Sequence, residues 1–74
     1  MSRRNRGHMK FSEHLVFLRE KNGILQKDIA KKLGISVHAY QRFEYGEQEP
    51  RMSALIALAD LYDISLDELV CRER

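Results

Sequence analysis

"QKDIAKKLGISVHAYQRFEYG", residues 26–46, decides how this chain folds. Its apolar residues recur at helical rather than strand spacing. Ile29, Ala30 and Leu33 share one face of a first segment, and Gly34 interrupts it. Ser36 stands where a second helix wants its N-cap, and Gly46 where that helix closes. Two short helices joined by a Gly-containing turn make a helix-turn-helix. The residue types fit that geometry mechanically. Ala30 falls where the two helices cross, and a larger side chain there would push them apart. Gly34 supplies a turn at positive φ, where a β-carbon is costly. Ile35 plugs the corner, and Tyr40 and Phe43 anchor the second helix to a core.

Anchoring one side of that helix leaves the other side free. With Val37 at 0°, Gln41, Tyr45, His38 and Arg42 fall at about 40°, 80°, 100° and 140°, whereas Ala39, Phe43 and Tyr40 fall at about 200°, 240° and 300°. The outward arc carries flexible donors and acceptors but no carboxylate. An ordinary solvated face mixes Glu with Lys, so this arc reads as a surface for something negative or for hydrogen-bonding edges. The geometry fits a helix offered to the DNA major groove, which is wide enough to admit one. The competing reading is a plain surface helix.

The flanking sequence is also helical. Phe11, Leu15 and Leu18 repeat at i, i+4 and i+7, with Val16 beside them, and Asn22-Gly23 ends that first helix. "EQEPR" (47–51) is a loop around the only proline, Pro50. Leu55, Leu58, Ala59 and Tyr62 mark a fourth helix. "SLDE" (65–68) is a capping box in which Ser65 caps and Glu68 reaches back. It opens a fifth helix with Leu66, Leu69 and Val70 apolar, residues that either close the core or form a dimer seam. Met9 and Met52 read as core fillers or termini rather than cofactor ligands. The expectation is an all-α, compact five-helix bundle, with residues 1–9 a flexible basic arm or a remnant of cloning and residues 10–72 the domain.

Composition narrows the function. Seventy-four residues make one small domain with a thin core. The net charge is only +2, but residues 1–42 hold ten Lys/Arg against three acids, and residues 43–74 hold three against eight. A basic half attracts polyanions even when the total is near zero. One cysteine, Cys71, excludes an internal disulfide and fits a reducing, cytoplasmic setting. No apolar run approaches a membrane span, and no h-region follows the basic start. His8, His14, His38 and Cys71 match no zinc spacing, so no metal and no cofactor is expected. With no glycine-rich phosphate loop, nucleophile motif or paired carboxylates, the chain is not expected to be an enzyme. The Arg3, Arg4 and Arg6 arm reads as a plain tail or as a minor-groove arm.

The segments "LREKNG" (18–23), "QKDIAKKLGIS" (26–36), "YQRFEYGEQEP" (40–50) and "LADLYDISLDEL" (58–69) together resemble the helix-turn-helix domains of the lambdoid phage repressor and Cro proteins, the Xre family. The resemblance runs from about Phe11 to Val70. It implies the lambda repressor-like five-helix fold, sequence-specific DNA binding, and a two-fold homodimer on a palindromic double-stranded operator.

The site residues follow from that resemblance. Gln26 matches the family glutamine that bonds a DNA phosphate and supports the third helix. Val37, His38, Gln41 and Arg42 match positions that reach base edges or nearby phosphates. Arg42 would pair with guanine, Gln41 with adenine, and Val37 would pack on a thymine methyl. Lys27, Lys31 and Tyr45, with the backbone amides near Gly46 and Gln48, match phosphate contacts, which add affinity and salt dependence rather than sequence information. Arg19 and Glu44 match a buried ion pair joining the first helix to the third, and so read as structural, with Ala30, Gly34, Ile35, Tyr40 and Phe43. Two positions depart from the family. Leu25 stands where Ser or Thr usually caps the second helix, with Asp28 compensating at the positive helix end. Arg51 replaces the usual capping Ser of the fourth helix and is an additional candidate for phosphate. The expected function is a transcriptional regulator, a repressor rather than an activator. The alternatives are an antitoxin or protein-interaction adaptor on the same fold, and a DNA-binding fragment of a larger regulator.

Overall fold

The structure is a computed structural model that describes residues 10–70. The basic arm, His8, Met9, Cys71 and Arg72 therefore lie outside the described residues. Five helices follow in order: α1 (Phe11–Lys21), α2 (Gln26–Leu33), α3 (Val37–Glu44), α4 (Met52–Tyr62) and α5 (Leu66–Leu69). No strand occurs among the described residues.

Local chemistry sets most of the boundaries. At the end of α2, Gly34 adopts φ 74°. Its amide donates to the Lys31 carbonyl at 3.1 Å, and the Ile35 amide to the Ala30 carbonyl at 3.0 Å. That pair of bonds is a Schellman motif, which satisfies carbonyls the helix leaves open. A Cβ at Gly34 would meet nothing within 4 Å, so glycine is required there by backbone conformation and not by space. The same motif ends α4 at Asp63, the one non-glycine residue at positive φ among the described residues. Asp tolerates that conformation better than most side chains.

Helix starts are less uniform. Ser36 and Ser65 each accept a hydrogen bond from the amide three residues on, at 3.0 and 3.1 Å. Only this half of the Ser65–Glu68 box is formed, because Glu68 makes no return bond to the Ser65 amide. At α1 the reverse holds: Glu13 Oε1 accepts from the Lys10 amide at 3.2 Å, since lysine has no acceptor to offer. Leu25 and Arg51 stand at the N-caps of α2 and α4 without a capping side chain.

The core draws on every helix. Leu15 and Leu18 of α1, Ile29 and Ala30 of α2, Tyr40 and Phe43 of α3, Leu58 and Ala59 of α4, and Leu69 of α5 are all buried. Tyr40 and Phe43 meet edge to face with ring centroids 6.1 Å apart, a favoured aromatic geometry. Ile35 and Val70 pack half-buried against this cluster. Leu69 thus closes the core and does not form a seam, while Leu66 stays partly outside. Met52 is corrected from core filler to surface: it is the first residue of α4 and is 61% exposed. No helix of the described residues is long and apolar enough to cross a membrane.

Candidate nucleic-acid interface

The outward face of α3 is held by what lies beneath it. Tyr40, Phe43 and Glu44 are buried on the inner side, and Val37, His38, Arg42 and Tyr45 are exposed on the other. Gln41 is half-buried at the edge between them.

Glu44 is the hub of the inner side. Its Oε2 accepts from Arg19 Nε and from the Tyr40 hydroxyl, each at 2.6 Å. Its Oε1 accepts from Arg19 Nη2 at 3.2 Å and Gln26 Nε2 at 2.9 Å. Arg19 Nη1 also donates to the Ile24 carbonyl at 3.1 Å, which ties the α1–α2 connection to the same hub. Burial alone would push the Glu44 carboxyl up. The hydrogen bonds from Arg19, Tyr40 and Gln26 outweigh that and hold it below the ordinary carboxylate value. The Glu44 bond raises Arg19 above the usual guanidinium value. Burial and the bond to Glu44 raise Tyr40. Burial, with the nearby negative Glu44, pushes Tyr62 up to about 12.

This hub orients a residue on the outward face. An ionised carboxylate only accepts. Gln26 must therefore turn its NH2 group towards Glu44, which sends its Oε1 the other way. That oxygen accepts from Gln41 Nε2 at 3.0 Å. Gln41 is left with its own Oε1 and one amide hydrogen for an outside partner. An acceptor and a donor side by side match the N6 and N7 edge of adenine.

Arg42 is held differently. Its Nε lies 3.8 Å from Glu47 Oε1, an ion pair between two well-exposed side chains. The Glu47 amide donates to the Arg42 carbonyl at 2.9 Å, and the Gln48 amide to the same carbonyl at 3.3 Å. The Gly46 amide donates to the Phe43 carbonyl, also at 3.3 Å. The backbone amides of Gly46 and Gln48, expected to clamp phosphate, are thus already engaged in closing α3. Gln48 offers an exposed side chain instead.

Lys27 and Lys31 are exposed on α2. The fold also brings together charges that sequence reasoning did not join. Lys32, Arg42 and Arg51 border an open cleft of about 500 Å³, with Gln48 and Ser53 on its wall. Glu47 was likewise missed as a neighbour of the outward face. The available signal was its position just past the turn that follows the last arginine of the helix.

A helix-turn-helix family profile matches residues 17–69. The chain is 40% identical over 60 residues to the HTH-type transcriptional regulator YqaE of Bacillus subtilis strain 168, covering 81% of this chain and 52% of that protein. It is 39% identical over 64 residues to the cryptic phage CTXphi transcriptional repressor RstR of Vibrio cholerae El Tor, covering 86% and 57%. The chain spans about half the length of these curated relatives. The structure superimposes on the P22 c2 repressor, solved in complex with a synthetic operator, with a TM-score of 0.79 and 29% identity, covering 88% of this chain and 98% of that one.

Proposed function

The chain belongs to the helix-turn-helix family, and from that premise we propose that it is a sequence-specific DNA-binding transcriptional regulator of the repressor kind. The observation that carries this is the outward face of α3, where exposed donors stand over a buried hydrogen-bond network that fixes their base. In this reading α3 enters the major groove of an operator. Val37, His38, Gln41 and Arg42 meet base edges there. Gln26, Lys27, Lys31, Tyr45 and the side chain of Gln48 face the phosphate backbone, whereas the Gly46 amide is taken up in closing α3. Two copies bind as a homodimer on a palindrome, their recognition helices about 34–36 Å apart. Met52 and Ile56, one turn apart and exposed on α4, favour a second copy on that side. The setting is the cytoplasm, and the action is occlusion of a promoter, with no catalysis.

The test is selection of duplexes from a random pool, followed by fluorescence anisotropy on the enriched site and a scrambled one at two salt concentrations. A preferred palindrome is expected, with log affinity falling linearly against log salt. Arg42→Ala is expected to reduce discrimination by about 1–3 kcal/mol. Weak binding erased by salt, with no preference and no response to the mutation, would overturn the reading.

A further inference from the structure

Glu47 is the one acid among the described residues that ion-pairs with a residue of the outward α3 face. We propose that Glu47 is a specificity-determining residue, which holds Arg42 for a base edge and withholds it from phosphate. This rests on the DNA-binding reading above and deepens it.

Three observations support the role. The guanidinium turns Nε towards the Glu47 carboxylate, at 3.8 Å an ion pair without a hydrogen bond. That leaves the two terminal nitrogens as a fork, the edge that pairs bidentately with guanine O6 and N7. The Glu47 position is set by backbone, since its amide is bonded to the carbonyl of Arg42 itself at 2.9 Å. That bond keeps the base of the Glu47 side chain beside Arg42 and its carboxylate within reach of the guanidinium. Finally, both side chains are about half exposed or more, at 46% and 60%. Such a pair is weak and salt-screened, so it biases Arg42 without locking it.

The consequence is asymmetric. Non-specific binding is made almost wholly of phosphate contacts. For Arg42 to swing onto a phosphate, it must leave Glu47, and an unpaired carboxylate then faces the DNA backbone. For Arg42 to read guanine with its terminal nitrogens, the pair at Nε stays in place. Glu47 therefore penalises scrambled DNA more than the preferred site.

The test compares Glu47→Gln with Glu49→Gln, which removes an equal charge from the same exposed loop. Each is measured by anisotropy on the duplex enriched by the wild-type chain and on its scrambled counterpart. Glu47→Gln is expected to strengthen scrambled binding and to narrow the enriched-to-scrambled ratio by about two- to five-fold. Glu49→Gln is expected to move both duplexes together and leave the ratio unchanged. In an Arg42→Ala background, Glu47→Gln is expected to lose its effect on the ratio. An unchanged ratio in Glu47→Gln, a change matched by Glu49→Gln, or an effect that survives Arg42→Ala would each overturn the proposal while leaving DNA binding intact. A wild-type chain that enriches no duplex would overturn both.

Discussion

Glu44 and Glu47 are the same side chain three residues apart, each paired with an arginine, and they do opposite things. Glu44 lies 2.6 Å from Arg19, with its side chain 2% exposed and four donors converging on it. Glu47 lies 3.8 Å from Arg42 in the open. The difference shows that an ion pair becomes structural through burial and through the number of donors that replace water. A pair without these is a reservoir of charge near the surface, free to be spent on a ligand. The inner side of α3 is thus pinned by burial and hydrogen bonds, which leaves the outer side for the recognition proposed above.

The strongest way to break this comparison is Glu44→Ala. Removing one partner of a buried pair costs about 3–5 kcal/mol. A domain of this size commands only about 3–5 kcal/mol in total. The variant is expected to be largely unfolded at room temperature by circular dichroism. A cooperative melt within a few degrees of wild type would show that the hub is dispensable.

The same carboxylate gives a graded version of that test. Its native pKa lies below the ordinary value of 4.5, so the unfolded chain takes up the proton first as the pH falls. Its contribution is complete above about 4.5 and lost as the pH drops through the native value. Melting temperature is expected to fall with acidification over that window. Carboxyl NMR is expected to show Glu44 titrating below the ordinary glutamate value of 4.5; titration at or above it would remove the hub from the explanation.

Arg42→Ala tests the outer side. Stability is expected to stay within about 0.5 kcal/mol of wild type, as for an exposed substitution away from the core. Base discrimination is expected to drop by about 1–3 kcal/mol. Thermal melts and anisotropy on one preparation separate the two. A large loss of stability would erase the division between the faces.

The smallest effect sharpens the comparison at the start of α2, which carries Gln26. Leu25 caps nothing and is 57% exposed, so little apolar burial is lost on changing it. The Asp28 amide already donates to the Leu25 carbonyl at 3.0 Å, unlike the Ala39 amide, which has only the Ser36 hydroxyl. Leu25→Ser is therefore expected to add less than the ~1 kcal/mol of a full N-cap, read as a small rise in melting temperature. A rise as large as that of a full N-cap would mean that the carbonyl bond at Leu25 contributes little.

The sequence by itself determined the five helices and the orientation of α3. Those follow from signals within a few residues: the Ser36 cap, the Gly34 turn, and Tyr40 and Phe43 at helical spacing. Such signals act through backbone geometry that each segment carries with it. Only the tertiary structure decided that Gln26 fixes the amide of Gln41, 15 residues away, and that Leu69 is core while Met52 is surface. It also decided that Glu47 stands over Arg42. These depend on how segments meet in space. A side chain's partner across a helix crossing or around a loop is set by packing and by which polar groups burial leaves to be satisfied, and neither is written in local spacing.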